Sequence, residues 1–176
     1  MRDARNFAFI DSNNLHLGIR GQGWTLDYRK FRVYLQERYG VLRAYLFIGY
    51  IAKNADLYGM LESWGYVLIL KPTTPDSMGK VKGNCDGELI LQAMIDLSNY
   101  HQAVIVTGDG DFACLVKYLR EHDKLCCLLV PDERRYSGLL KTAAKKNLTF
   151  LNRLRRYLEY MKRTPGRQNR REGFSS

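Results

Sequence analysis

Residues 103–112, Ala-Val-Ile-Val-Thr-Gly-Asp-Gly-Asp-Phe, constrain this chain more than any other stretch. A β-branched apolar run stops at Thr107-Gly108, two aspartates follow, and from Phe112 the apolar residues return at helical spacing. That order reads as a buried strand, a tight turn and a helix. In a parallel sheet the crevice beyond the carboxyl ends of the strands is where ligands bind, and Asp109 and Asp111 would stand there. Two neighbouring carboxylates repel, so keeping both ionised needs a nearby cation. For hard oxygen donors that cation is Mg²⁺ or Mn²⁺. The plainer alternative is a helix N-cap, a position aspartate favours.

The pattern recurs. Residues 7–10 form a short apolar run ending in Asp11-Ser-Asn-Asn, so a second strand delivers a carboxylate at its tip. Asn13 and Asn14 suit a turn, and Asn14 is placed to orient Asp11 or to bond a phosphate. Further strands are expected at 41–49, 66–70 and 125–130, with a short strand or turn at 148–151. Helices are expected at 24–39 (N-cap Asp27), 54–64, 85–100, 112–122, 134–145 and 152–162, with a loop at 18–23. Strands alternating with helices give an α/β fold: three layers, a mostly parallel sheet, helices on both faces.

One domain over 1–162 and a basic, disordered tail over 163–176 are the expected organisation. The net charge is +10, which favours a polyanionic partner such as RNA or DNA, with an anionic membrane surface second. Arg20, Lys71, Lys80 and Lys82 fall in loops near strand ends. Arg167, Arg170 and Arg171 lie in the tail, and both sets are candidates to track a phosphate backbone. Tyr50, Trp24 and Tyr136 are candidates for base stacking, weighed against simple core packing. No run is long and apolar enough for a membrane span, and no signal-peptide core opens the chain. The four cysteines lack metal-ligand spacing and read as reduced, buried thiols of a cytoplasmic protein. The three histidines lack ligand spacing too.

Asp86 opens the helix before the 103–107 strand, so Asp11, Asp86, Asp109 and Asp111 are expected to converge on one cleft. Asp11 and Asp109 are the expected direct ligands of a divalent ion; Asp86 and Asp111 ligate directly or hold metal-bound water. Lys82 is placed to neutralise a phosphate oxygen. Asp96 lies about three helical turns beyond Asp86 and reads as a cap or surface charge.

Phe-Ile-Asp-Ser-Asn-Asn-Leu at 9–15, Lys-Gly-Asn-Cys-Asp-Gly-Glu-Leu at 82–89 and Val-Thr-Gly-Asp-Gly-Asp-Phe at 106–112 together resemble the three motifs of the NYN domains, the LabA-like branch of the PIN-like nucleases. The resemblance covers roughly residues 6–150. It implies a PIN-like fold, an acidic Mg²⁺ or Mn²⁺ site and cleavage of RNA, single-stranded or structured. By matched position Asp11, Asp86, Asp109 and Asp111 take the acidic catalytic roles and Asn14 that of the first-motif asparagine. Lys82 stands further from Asp86 than the family lysine usually does. The expected activity is that of a metal-dependent endoribonuclease; the alternative is an inactive NYN domain that binds RNA or protein. A homodimer is left open.

Overall fold

The computed structural model describes residues 5–72, 74–75, 81–82 and 85–161. Lys80, Arg167, Arg170, Arg171 and the tail assignment lie outside them. Six strands form one sheet: β1 (Asn6–Asp11), β2 (Val41–Gly49), β3 (Tyr66–Lys71), β6 (Ala103–Val106), β7 (Leu125–Val130) and β8 (Leu148–Phe150). All pairings in it are parallel and the spatial order is β3-β2-β1-β6-β7-β8. The chain builds outward one way from β1, then crosses to β6 and builds the other way. The β1/β6 junction is therefore the switch point, and Asp11 and Asp109 leave the sheet on either side of it. A separate two-stranded antiparallel ribbon pairs β4 (Thr74–Pro75) with β5 (Val81–Lys82).

Alternation along the strands sorts the core into two layers. Phe7, Phe9, Tyr45, Phe47, Ile105 and Leu128 face one side and pack on α4 (Asp86–Ile95), α5 (Ala113–Glu121) and α6 (Gly138–Ala144). Ala8, Ile10, Leu46, Val104 and Leu129 face the other. There they meet α1 (Ser12–Arg20), α2 (Tyr28–Tyr39), α3 (Ala55–Ser63) and α7 (Arg155–Leu158). Phe9, Phe31, Phe47 and Phe112 are fully buried, and each such ring is worth about 1.5–3 kcal/mol of transfer free energy.

Helix α2 starts at its expected cap, where the Asp27 carboxylate accepts from Lys30 N–H at 3.0 Å. It stops at Gly40, whose φ of 63° is left-handed. Several expectations change. The expected loop at 18–23 gives way in its first part to helix, because Asp11 caps α1 and Leu15 and Ile19 bury one turn apart. The helix expected at 85–100 ends at Ile95 and continues as turns. That expected at 134–145 begins only at Gly138, capped by Ser137. The terminal helix shrinks to a 3₁₀ turn (Leu151–Leu154) and α7, because Glu159 leaves it to bridge Leu26. Cys114 is exposed and Cys126 only partly covered, so the thiols are not uniformly buried.

Candidate acidic metal centre

The register of β1 on β6 pairs Ile10 with Val106. One residue further, Asp11 and Thr107 stand side by side, and the Thr107 hydroxyl donates to Asp11 Oδ2 at 3.1 Å. Oδ1 of Asp11 accepts from Asn14 N–H at 3.0 Å, which caps α1. The Asn14 side chain reaches across the junction and its Oδ1 accepts from Gly108 N–H at 2.7 Å. Thr107 Oγ1 also accepts from Asp109 N–H at 3.1 Å. Two chain segments distant in sequence are thus locked by two crossing bonds, one from Thr107 and one to Asn14.

Asp109 does act as a cap: its Oδ1 accepts from Asp111 N–H at 3.0 Å and starts the 3₁₀ turn Gly110–Phe112. The capping and metal readings coexist, because the cap occupies only part of the carboxylate. Asp86, Asp109 and Asp111 each offer an oxygen, and these three oxygens lie within 4.8 Å of one another. Asp86 and Asp109 are half-buried and Asp111 is exposed. Asp11 is outside that triplet. It lies close enough to feel the charges of Asp86 and Asp109, which push its pKa up; burial raises it more, and the bonds from Asn14 and Thr107 act against both.

Oxygens bound to one ion at about 2.1 Å lie within about 4.2 Å of each other. Small rotamer adjustments would bring the Asp86–Asp109–Asp111 triplet to that spacing, and an all-carboxylate donor set suits Mg²⁺ or Mn²⁺. Asp86 is placed for this by opening α4, whose first turn is acidic.

The turn also depends on Gly110. A Cβ there would lie 2.5 Å from Ser137 Oγ and 2.9 Å from Ser137 Cβ. Ser137 N–H donates to Gly108 O at 3.1 Å, so the start of α6 is fastened to the back of the acidic turn. Lys71, at the tip of β3, pairs with Glu88 at 2.8 Å. Hydrogen bonding to Glu88 raises the Lys71 amine above its ordinary value, and the charge of Asp86 adds to this. Arg20 is exposed in the last turn of α1. The β5 backbone places Lys82 in the small ribbon.

The remaining expectations divide. Trp24 is buried in the core and Tyr136 packs edge-on against Phe150, while Tyr50 is exposed against Tyr58. Asp96 is the C-cap residue of α4, as one of its two readings had it, but it is no surface charge: its carboxylate is buried. It accepts from Tyr45 Oη at 2.7 Å, Gln92 Nε2 at 2.8 Å and Asn99 Nδ2 at 2.9 Å. Thr107, Glu88 and Ser137 escaped the sequence reading as site residues. Only Thr107 carried a signal, as the polar end of an otherwise apolar strand. Among the described residues, no helix is long and apolar enough to cross a membrane.

The NYN domain family model matches residues 7–152. The "Low amplitude and bright protein LabA" of Synechococcus elongatus (strain ATCC 33912 / PCC 7942 / FACHB-805) is 29% identical over 130 residues, covering 68% of this chain and 69% of that protein. A crystal structure of a protein of unknown function from Vibrio parahaemolyticus RIMD 2210633 superposes with a TM-score of 0.71 at 22% identity, over 86% of this chain and 95% of that one. The fold is shared with that protein, and by its matched family model this chain belongs to the NYN domain family, a branch of the PIN-like nucleases.

Proposed function

We propose that this chain is a metal-dependent endoribonuclease whose reaction centre is the acidic crevice at the β1/β6 switch point. The observation that carries the reading is the convergence of Asp86, Asp109 and Asp111 within 4.8 Å, from α4 and the turn after β6. Three carboxylates held so close would repel phosphate on their own, so a cleft built this way needs a divalent ion before RNA enters. Such an ion, when bound, supplies a nucleophile at neutral pH and stabilises the leaving oxygen of a phosphodiester.

The protein's own part is positioning. Asp86, Asp109 and Asp111 are the proposed ligands. Asp11 stands at the edge of the cluster with one oxygen bonded by Thr107 and the other by Asn14 N–H, so it is held in one orientation. At the edge of the cluster it is proposed to accept a proton during attack on phosphorus. Asn14 fixes the loop that carries Asp109. Lys71, paired with Glu88 and close enough to Asp86 to feel its charge, is proposed to meet a phosphate oxygen. Lys82, Lys80, Arg20, Arg167, Arg170 and Arg171 are proposed to track the RNA backbone further out.

The test is incubation of the full chain with labelled RNA in Mn²⁺ or Mg²⁺ and, separately, in EDTA. Cleavage in the first and none in the second supports the reading. RNA binding without cleavage in any divalent ion would leave a binding module instead.

A further inference from the structure

The acidic crevice is one end of a much larger cavity of about 2500 Å³. Sites for single small molecules occupy about 300–1,000 Å³, so this space is sized for a polymer. Besides Asp11, Asp86 and Asp109, its walls include residues of α2, α3 and α7. Its lining away from the carboxylates is rich in rings: Tyr28, Tyr34, Tyr58, Trp64, Tyr157 and Tyr160.

Two of those rings are set out in solvent on a braced segment. Tyr157 is 73% exposed and Tyr160 54%. Yet the backbone between them is pinned to the start of α2. Asp27 N–H donates to Leu158 O at 2.8 Å, Tyr160 N–H to Thr25 O at 2.9 Å, and Lys30 Nζ to Glu159 O at 2.9 Å. Among the charges beside them, Asp27 lies 3.9 Å from Lys30 and Glu159 2.9 Å from Arg155, while Arg29 also lines the cavity and Arg156 adjoins Tyr157. This end of the cavity is therefore aromatic and carries no excess of carboxylates, unlike the acidic end. Exposed rings on a fixed backbone, beside a phosphodiester-cleaving centre, suit flat apolar groups carried on a phosphate chain.

We infer that the groove between α2, α3 and α7 is a subsite that stacks unpaired bases of single-stranded RNA, with Tyr157 and Tyr160 as its outer platform. The inference rests on the ribonuclease reading for the identity of the strand. Bases in a duplex have no free faces, so the subsite selects unpaired RNA entering the acidic crevice. Stacking tolerates any base, so little sequence preference arises here.

The experiment measures fluorescence anisotropy of labelled U12 with Mn²⁺ and the full chain carrying Asp11→Asn, which keeps the three proposed ligands and is expected to cut too slowly to disturb binding. Tyr157→Ala and Tyr160→Ala should each weaken binding about tenfold, while Tyr157→Phe and Tyr160→Phe stay near wild type. The dependence of log K on log salt should keep its slope, because no phosphate contact is removed. A 12-mer strand of abasic ribose-phosphate and a 12-base-pair RNA duplex should be indifferent to all four changes. Both rings are exposed, so circular dichroism should show unaltered folding. Unchanged U12 affinity in both alanine variants overturns the inference, as does an equal loss for the abasic strand. A gain of affinity in the alanine variants also overturns it, because the groove would then hold the basic 162–176 segment. A Mn²⁺ cleavage arm separates the two readings. Tyrosine-dependent binding without cleavage by wild type removes the nuclease and keeps the subsite; cleavage with tyrosine-independent binding does the reverse.

Discussion

Asn14 Oδ1 and Gly108 N–H meet at 2.7 Å across 94 residues of sequence, joining the first acidic turn to the second. Gly108 is buried, so deleting its acceptor strands a donor, at about 1–3 kcal/mol. Asn14→Ala should lower stability by that amount in urea unfolding. It should also slow cleavage, by freeing the loop that aims Asp109. An unaltered denaturation midpoint would show that water replaces the bond at no cost.

Thr107 ties Asp11 to Asp109 through one hydroxyl, donating to the first and accepting from the backbone of the second. Thr107→Ser keeps both bonds, whereas Thr107→Val keeps the shape and loses both. The valine variant should lose about tenfold or more in single-turnover cleavage, and the serine variant about twofold at most; tenfold corresponds to about 1.4 kcal/mol of misplaced charge. Equal rates in the two variants would remove the hydroxyl from the account.

Gly110 is required by a close approach. Gly110→Ala would press a methyl group against Ser137, and overpacking of this kind costs about 1–3 kcal/mol. Ser137→Gly should restore much of the loss in the double variant, since it removes both offending atoms. Additive losses would place the cost in the turn itself.

Much of this was readable in the chain, and the failures have physical causes. Apolar, β-branched runs ending in Asp11 or in Thr107-Gly108 announced the strands and the carboxylates at their tips, because strand ends in a parallel sheet share one edge. Helix α1 was missed because it buries only Leu15 and Ile19, too few to set a visible period, and because Asp11 looked spent on chemistry when it was also the cap. Asp96 does cap α4, but its burial was missed because its partners Tyr45, Gln92 and Asn99 come from a strand and from either side in its own turn, which spacing does not reveal. Which three carboxylates, Asp86, Asp109 and Asp111, come within 4.8 Å of one another was likewise invisible, because spacing in the chain does not fix distances between side chains.

Asp96 gives a pH signature. Burial raises its pKa, but bonds from Tyr45, Asn99 and Gln92 and the charge of Arg43 outweigh that and hold it below the ordinary carboxylate value. A carboxylate depressed in the folded state stabilises above its unfolded pKa, and that contribution is lost as pH falls through the folded value. Asp96→Asn should therefore cost about 2 kcal/mol at neutral pH, the scale of hydrogen bonds to a charged group. The gap to wild type should close as pH falls below about 3.9. A gap independent of pH would mean that shape, not charge, matters at this position.

The tail carries a separate expectation. Each cation that neutralises a phosphate on single-stranded RNA steepens log K against log salt by about 0.7. Replacing Arg167, Arg170 and Arg171 with glutamine should flatten that slope by about 2 and leave cleavage at saturating RNA unchanged. An unaltered slope would mean that these arginines serve something other than RNA.

The central claim is tested most directly by cleavage of labelled single-stranded RNA with Mn²⁺, comparing wild type with Asp11→Asn, Asp86→Asn and Asp109→Asn. Asparagine is as good an N-cap as aspartate, so α1 and the 3₁₀ turn at Gly110 should still form and all the chains should melt as folded domains. The account predicts cleavage by wild type, none in EDTA, and a loss of about 100-fold or more in each variant. Cleavage that survives EDTA, or that proceeds at the wild-type rate in the Asp109 variant, would contradict it.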